Sequence, residues 1–265
     1  MLLLIYLGMH IAITLALLSF VGAWIIKDDV SIALNLLQIA ATNTVNNFVF
    51  AVIPLFVLMG QLFYHAGLAS DLYEGLRKWV GRIPGGMAIS SVLACGGFGA
   101  VTGSSIATVA TMGTIVMPEM RRFKYDSRLA TGALAASGTL GILIPPSLIF
   151  IFYGVMTETS IGALFIAGIV PGVITALMFS SIILVRCLLD PTLGPKGPRA
   201  SWRERALAIG RLGPVTALFV LIIGGIYAGI FTPTEASGVG CAGVLVTALL
   251  QRKLSRTAIC AALRG

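Results

Sequence analysis

Long uncharged apolar segments constrain this 265-residue chain more than any other feature of its sequence. Four of them lack Asp, Glu, Lys and Arg: Met1–Ile26, Leu129–Thr157, Thr159–Val185 and Leu212–Thr234. Each is at least as long as the roughly 20 residues that a helix needs to cross the apolar core of a bilayer. The chain has 11% charged residues and a mean hydropathy of +0.99, so it has too few charged side chains to form the surface of a water-soluble domain. We therefore expect an all-α, polytopic membrane protein whose main partner is the lipid bilayer.

The basic residues indicate one side of that membrane. The formal net charge is +8, and all of the 18 Lys and Arg residues except Lys27 fall in four clusters, at 77–82, 121–128, 186–211 and 252–264. Clusters that alternate with apolar segments follow the positive-inside rule. This pattern predicts cytoplasmic loops and a cytoplasmic N-terminus, and it argues against a nucleic-acid partner. The four cysteines show no metal-ligand or disulfide spacing.

Tracing the chain with every basic cluster inside gives a complete topology. Met1–Ile26 has no basic leader and no A-x-A cleavage site, so we interpret it as a first span and not as a signal peptide. An external helix is expected at 30–46 and an amphipathic helix on the membrane surface at Leu72–Trp79. The predicted spans lie at about 2–26, 48–65, 128–156, 160–188, 212–231 and 236–251.

One apolar segment, Ile83–Pro118, does not fit a simple crossing. It is uncharged, 36 residues long and flanked by basic clusters on both sides. One crossing would place a cluster outside, and two crossings need about 40 residues plus a turn. A re-entrant hairpin with its tip at Thr102-Gly103-Ser104-Ser105 satisfies both constraints. Irregular backbone inside a membrane must be buried in protein or line a cavity, so a polar tip indicates a binding site. The alternative is an ordinary helix with a seam of small packing residues.

A second irregularity lies in the third span, where Pro145 and Pro146 are adjacent in the middle of the membrane. Each proline removes a backbone donor and clashes with the preceding turn, so the helix should break there. The freed carbonyls, together with the hydroxyls of Ser137, Thr139 and Ser147, could bind a hard cation such as Na⁺, as discontinuous helices do in secondary transporters. The alternative is a structural proline kink.

The segment Thr232-Pro233-Thr234-Glu235 has two interpretations. Thr-x-x-Glu with proline at the first helical position is a capping-box pattern. An ionisable residue close to the membrane is also often functional. The sequence therefore predicts a helix cap at Thr232 and Glu235 and leaves a second role of this pair open.

The ordered set of motifs resembles the large membrane subunit of tripartite ATP-independent periplasmic (TRAP) transporters over essentially the whole chain. The motifs are Ile53-Pro54-Leu55-Phe56, Gly81-Arg82-Ile83-Pro84-Gly85-Gly86, Thr102-Gly103-Ser104-Ser105, Ile144-Pro145-Pro146-Ser147, Ile161-Gly162-Ala163-Leu164-Phe165 and Gly229-Ile230-Phe231-Thr232-Pro233-Thr234-Glu235-Ala236. Each motif alone is weak, whereas their order is specific. The family often has serine where Thr102 stands, and this exchange keeps the hydroxyl.

The resemblance implies a Na⁺-coupled importer of organic acids, such as dicarboxylates or sugar acids, in the bacterial inner membrane. It implies an elevator-type motion, a small membrane subunit and a periplasmic substrate-binding protein as partners, and no cofactor besides the coupling ion. Carried over by motif, the cation and substrate site would include Thr102, Gly103, Ser104, Ser105, Ser137, Gly138, Thr139, Gly141, Pro145, Pro146 and Ser147.

Family members carry two inverted repeats, and the sequence contains only one glycine-rich hairpin. We expect the first half of an inverted-repeat elevator transporter and favour a fragment or a truncated gene, with a split gene or the assembly of two chains as the alternatives. Three parts are predicted: scaffold spans and an arm helix at 1–82, the hairpin and broken helix at 83–157, and a scaffold span, basic loop and start of a second repeat at 158–265.

Two rival functions share these spans. An intramembrane serine hydrolase could use Ser104, but the chain has no Gly-x-Ser-x-Gly pattern and only His10 and His65 as bases. A non-transporting membrane scaffold or assembly subunit would need no polar tip. We therefore expect a transporter subunit and not an enzyme.

Overall fold

The computed structural model describes the backbone of residues 1–264 and, in that range, every side chain except those of residues 256, 257 and 264. All regular structure in this part of the chain is helical, as expected. A short 3-10 turn covers Phe48–Ala51. The helices are α1 Leu2–Tyr6, α2 Ile11–Lys27, α3 Val30–Asn46, α4 Val52–His65, α5 Leu68–Val80, α6 Gly86–Thr102, α7 Ser105–Arg122, α8 Ser127–Gly138, α9 Leu140–Leu143, α10 Leu148–Met156, α11 Ile161–Leu189, α12 Trp202–Tyr227, α13 Pro233–Leu250 and α14 Arg256–Arg264.

Several helices are long and apolar enough to cross a bilayer. Within the described residues these are Phe48–His65, α11, α12 and α13. Ser127–Leu143 and Leu148–Met156 form a further pair, which is bent by 41° at the break between them. The chain is therefore a polytopic helical membrane protein. α12 begins ten residues before the predicted span at 212, because Ser201 and Glu204 form a capping box that sequence analysis missed.

Residues 1–51 form one compact unit and the rest of the chain a second. In the first unit the span expected at about 2–26 is not one continuous helix, because it is interrupted between α1 and α2. Gly8 has a φ of +86°, a left-handed conformation that glycine adopts readily, and His10 is extended before α2 begins. The expected helix at 30–46 is present as α3, whose first turn is capped by the Asp29 carboxylate at 2.7 Å from Ser31 N.

Helix α6 forms the centre of the second unit. Fifteen of its 17 residues are buried, and it packs against α4, α5, α7, α8 and α11. Small residues permit this crowding, since a Cβ atom at Gly99 would lie 2.5 Å from Gly141 Cα. α11 differs, because apolar side chains such as Val170, Leu177 and Met178 are exposed. The first segment of the predicted hairpin is thus surrounded by protein, whereas α11 presents an apolar face suited to lipid.

Helix α5 includes the segment that was predicted to lie along the membrane surface. Its apolar face instead packs against α6 and α12, with Leu68, Leu72 and Tyr73 buried. Its polar face forms ion pairs with other parts of the unit. These pairs are Arg77–Glu119 at 2.7 Å, Lys78–Glu204 at 3.0 Å, Glu74–Arg211 at 2.5 Å and Asp71–Lys253. The amphipathic pattern of α5 therefore reflects protein packing, and its apolar face does not lie on the bilayer.

The loop after α11 is bonded to both ends of the α6–α7 hairpin. At the hairpin start, Gly85 N donates to Gly194 O at 3.0 Å and Gly197 N donates to Gly81 O at 2.9 Å. At its end, the Tyr125 hydroxyl donates to Pro195 O at 2.9 Å and accepts from Met87 N at 3.2 Å. Burial raises the pKa of Tyr125 to about 12, so this phenol stays protonated. The two ends of the hairpin therefore lie side by side.

The predicted orientation can be tested by reporters. A cytoplasm-sensitive reporter fused near residue 197 should be active, since this loop carries a basic cluster. The same reporter near residue 28, beside Asp28 and Asp29, should be inactive, and an export-dependent reporter should give the opposite pair. Reversed activities at the two positions would overturn the topology.

Candidate functional site

The hairpin tip is a two-residue turn between α6 and α7. Gly103 has a φ of +63° and ends α6, with its N–H donating to Gly99 O at 2.7 Å. Ser104 is extended, and its hydroxyl oxygen accepts from Ala107 N at 3.4 Å as the N-cap of α7. The helix–turn–helix and its tip residues therefore match the sequence prediction. How deeply the hairpin enters a bilayer stays a prediction.

Hydroxyl groups are linked across the tip. Thr108 Oγ1 donates to Ser104 O at 2.7 Å, and Thr102 Oγ1 lies 3.1 Å from Thr108 Oγ1. Thr108 was not among the predicted site residues. Its spacing was a usable signal, because a threonine hydroxyl in a helix often bonds the carbonyl four residues earlier. Thr102 and Thr108 are both buried, so this pair stabilises the turn from inside the protein.

The third predicted span is broken where the two prolines occur. α8 ends at Gly138, the short α9 follows, and the backbone is extended at Ile144 and Ser147 before α10 begins. The Pro145–Pro146 peptide bond is cis. The predicted break is confirmed. It divides the span into two unequal helical parts with non-helical backbone between them.

The tip and the break are in direct contact. Leu148 N, at the start of α10, donates to Gly103 O at 3.3 Å. A Cβ atom at Gly103 would lie 3.2 Å from Pro146 O, and one at Gly141 would lie 3.1 Å from Ser104 O. Glycine at both positions is therefore what lets the two irregular segments approach.

The hydroxyls at the break differ in how they are satisfied. Ser137 Oγ donates to Leu134 O at 3.1 Å and Thr139 Oγ1 donates to Ala136 O at 2.7 Å, both within α8 or at its end. Ser147 is fully buried, and its Oγ has no hydrogen-bond partner among the described residues. A buried polar atom without a partner requires an explanation, and a bound ion or water is a common one. Among the predicted hydroxyls, that of Ser147 is thus the buried one without a partner in the described part of the chain.

Clefts lie on both sides of the first turn of α7. One, of about 400 Å³, is lined by the polar residues Gln61, Tyr64, Thr102, Ser104 and Thr111 together with apolar side chains. The other, of about 450 Å³, is lined by Ser105, Thr139 and Gly138 among others. The predicted tip residues therefore border two separate spaces. Gln61, Tyr64 and Thr111 were not predicted, because isolated polar residues in an apolar segment carry no spacing signal.

The predicted cap at Thr232 and Glu235 is confirmed. Glu235 N donates to Thr232 Oγ1 at 3.3 Å, and Thr232 N donates to Glu235 Oε2 at 2.8 Å. Both residues belong to the start of α13, which packs against α4 and α12. These hydrogen bonds link Thr232 and Glu235 to each other, and they do not connect either residue to the hairpin tip.

A single substitution separates capping from a further role of Glu235. Glu235→Gln keeps an oxygen that can accept from Thr232 N but removes the charge, so we expect uptake by the intact transporter to change less than about twofold. Thr232→Ala should cost about 1 kcal/mol of stability, as loss of an N-cap does. A large loss of uptake in Glu235→Gln with normal protein stability would assign the carboxylate to transport.

The broken helix places unwound backbone and hydroxyls against the hairpin tip, among long apolar helices. Discontinuous helices of this kind are typical of secondary transporters. Sequence comparison gives the family. Residues 1–265 match the family described as tripartite ATP-independent periplasmic transporter, DctM component. The chain belongs to that family.

Similar proteins support this assignment. The chain is 39% identical over 224 residues to the C4-dicarboxylate TRAP transporter large permease protein DctM of Pseudomonas aeruginosa, covering 84% of this chain and 52% of the relative. It is 35% identical to the ectoine TRAP transporter large permease protein TeaC of Halomonas elongata, covering 94% of this chain and 57% of the relative. It is 34% identical to the sialic acid TRAP transporter large permease protein SiaM of Vibrio cholerae, covering 89% of this chain and 54% of the relative.

The chain spans about half the length of the curated relatives it matches. These relatives are transporter permease proteins and not enzymes, so the serine hydrolase alternative is wrong. Ser104 fits this conclusion, since its hydroxyl caps α7.

Proposed function

We propose that this chain forms part of the permease that carries out Na⁺-coupled uptake of an organic acid in a TRAP system of the bacterial inner membrane. The observation that carries the proposal is the contact between the hairpin tip and the proline break, beside which lies a buried hydroxyl with no partner among the described residues. Two irregular backbone segments are unfavourable inside a membrane unless they are buried in protein or line a cavity. A binding site would account for their presence here.

The proposed cation site uses oxygen ligands. Na⁺ is a hard cation that prefers carbonyl and hydroxyl oxygens, as hard cations generally do. Ser147 would supply a buried hydroxyl that has no partner among the described residues, and the tip and the break would supply further oxygen atoms. The proposed set keeps the predicted residues, namely Thr102, Gly103, Ser104, Ser105, Ser137, Gly138, Thr139, Gly141, Pro145, Pro146 and Ser147.

The proposed substrate is a carboxylate of the C4-dicarboxylate or sugar-acid type. Helix α7 begins at Ser105 and helix α10 at Leu148, and both start beside Gly103. Helix N-termini carry partial positive charge and favour anions. The substrates named for the three relatives, C4-dicarboxylate, ectoine and sialic acid, all carry a carboxylate.

The proposal includes the remaining parts of the machinery. The α6–α7 hairpin would re-enter the bilayer from the cytoplasmic side, and the hairpin and broken helix at 83–157 would move as an elevator against the scaffold parts at 1–82 and 158–265. A second inverted repeat, a small membrane subunit and a periplasmic substrate-binding protein would complete the transporter. The family name, tripartite, supports partner subunits.

Cysteine labelling at the tip tests the proposal. Ser104→Cys is placed in a background with Cys260→Ser, because Cys260 is exposed whereas Cys95, Cys187 and Cys241 are buried. In the intact complex, we expect a thiol reagent to reach this cysteine from the cytoplasmic side and Na⁺ to slow the reaction several-fold, with K⁺ as the control cation.

A matched control uses Thr192→Cys in the exposed loop after α11, whose labelling should not respond to Na⁺. Labelling at position 104 that is indifferent to Na⁺ would contradict the proposal and favour a non-transporting scaffold.

A further inference from the structure

A third cleft lies at the base of the hairpin, at the opposite end of α7 from the tip. It has a volume of about 370 Å³ and lies between the first turns of α8 and the last turns of α11. Asp126 N donates to Leu193 O at 3.0 Å, so the loop after α11 closes one end of this cleft. None of the predicted cation or substrate residues lines it.

The cleft has an apolar wall and a basic mouth. Leu129, Ala133, Phe179 and Ile182 contribute to the wall. Ile182 is 54% exposed, and the wall continues into the apolar exposed face of α11. Arg128 and Arg186 line the mouth and are both exposed. An elongated apolar surface that ends at two cations matches an amphiphile with an anionic head.

The two arginines are free to receive an anion. Neither forms an ion pair with another described residue. Asp126 is the acidic residue that lines the cleft, and its Oδ1 already accepts from Arg128 N at 2.8 Å and Leu129 N at 3.1 Å. Asp190, one turn beyond Arg186, accepts from Thr192 N and Thr192 Oγ1 at 3.0 and 2.6 Å. These donors are uncharged, so both carboxylates keep their charge, but their oxygens are held within their own turns and form no ion pair with Arg128 or Arg186.

We propose that this cleft binds an anionic glycerophospholipid, with its phosphate between Arg128 and Arg186 and one acyl chain along the wall between α8 and α11. Basic pockets between membrane helices on the cytoplasmic side are suited to acidic lipid headgroups. A free phosphate would use only the mouth and leave the apolar wall without an occupant. The inference depends on the membrane class of the chain and is independent of Na⁺ coupling.

The test uses a tryptophan reporter in the wall. The Phe179→Trp chain is reconstituted in phosphatidylcholine vesicles that contain brominated phosphatidylglycerol or, in parallel, the same fraction of brominated phosphatidylcholine. The signal of the three native tryptophans is subtracted with the unsubstituted chain. We expect the anionic lipid to quench the reporter at a lower mole fraction than the zwitterionic lipid, by roughly fivefold for each arginine.

Two test variants and one control variant locate the site. Arg128→Gln with Arg186→Gln should abolish the preference for the anionic lipid, whereas Arg121→Gln with Arg199→Gln, an equal loss of charge outside the cleft, should keep it. Gly132→Leu tests the wall without changing charge. A Cβ atom at Gly132 meets nothing within 4 Å, so leucine fits there and should displace the acyl chain, with a fall in quenching by both lipids.

Equal quenching by both lipids in the Phe179→Trp chain would overturn the proposal. A reporter that no brominated lipid quenches would also overturn it, because the cleft would then hold free phosphate or a protein segment. Native mass spectrometry of the unsubstituted chain gives a check that needs no variant, since phosphatidylglycerol should remain bound at detergent concentrations that remove phosphatidylcholine.

Discussion

Valine at position 103 is expected to lower Na⁺-driven uptake by the intact transporter about a hundredfold while leaving membrane insertion normal. Gly103 has a φ of +63°, and a Cβ atom there would lie 3.1 Å from Leu148 N and 3.2 Å from Pro146 O. A left-handed conformation costs a non-glycine residue about 1–2 kcal/mol, and the contacts would push the tip away from α10. Because each 1.36 kcal/mol of barrier is a factor of ten in rate, a combined cost of about 3 kcal/mol gives this loss. The measurement is initial uptake of labelled substrate in proteoliposomes.

Gly229 provides the matched control for backbone strain. It has a φ of +68°, and a Cβ atom there meets nothing within 4 Å. Gly229→Val should therefore carry the same left-handed strain away from the tip, where the strain lowers stability and does not displace a site residue, so uptake should stay within about threefold of the unsubstituted transporter. Near-normal uptake by Gly103→Val would remove the tip from the transport site.

Removal of the Ser147 hydroxyl should raise the Na⁺ concentration that gives half-maximal uptake by about tenfold. This hydroxyl is buried and has no partner among the described residues, and a hydrogen-bond-like contact to a charged group is worth about 1.5–3 kcal/mol. Ser147→Ala should leave thermal stability without Na⁺ unchanged or slightly higher, since the substitution removes an unsatisfied polar atom. The measurement is uptake against Na⁺ concentration, combined with thermal unfolding with and without Na⁺.

Ser90 serves as the comparison. It is equally buried, but its Oγ donates to Gly86 O at 2.7 Å within α6. Ser90→Ala should change the Na⁺ dependence less than about twofold. If Ser147→Ala gains stability and keeps its Na⁺ dependence, then the Ser147 hydroxyl is a buried orphan group and not a cation ligand.

The sequence predicted those parts of the structure that depend on local chemistry. Pro145 and Pro146 remove donors from the helix regardless of its surroundings, so the break could be predicted. The tip at Thr102–Ser105 could be predicted because the basic clusters on both sides of Ile83–Pro118 should lie on the same side of the membrane and because the segment is too short for two crossings. The cap at Thr232 followed from the short Thr-x-x-Glu pattern. Each of these signals acts within a few residues or along one segment.

Features that depend on distant contacts were missed. The amphipathic pattern of α5 is compatible with lipid or with protein, and only packing against α12 decides between them. The bond from Tyr125 to Pro195 joins residues 70 positions apart, and no periodicity indicates it. Gly8 interrupts the first expected span although a single glycine in an apolar helix is usually tolerated in membranes. The functional division at residues 82 and 157 stays a prediction.

The loop that is bonded to Gly81, Gly85 and Tyr125 has a mechanical consequence. Its backbone bonds reach the beginning and the end of the same hairpin, so the base of α6 and α7 cannot slide past the last turn of α11 unless these bonds break together. An elevator motion of 83–157 against the part at 158–265 must therefore bend the hairpin along its length or break these bonds, unless α11 and its basic loop travel with the hairpin as one rigid body. Crosslinking position 85 to position 194 would test this, because it should leave uptake unchanged for a bending or rigid-body motion and should arrest uptake if the base must slide past α11.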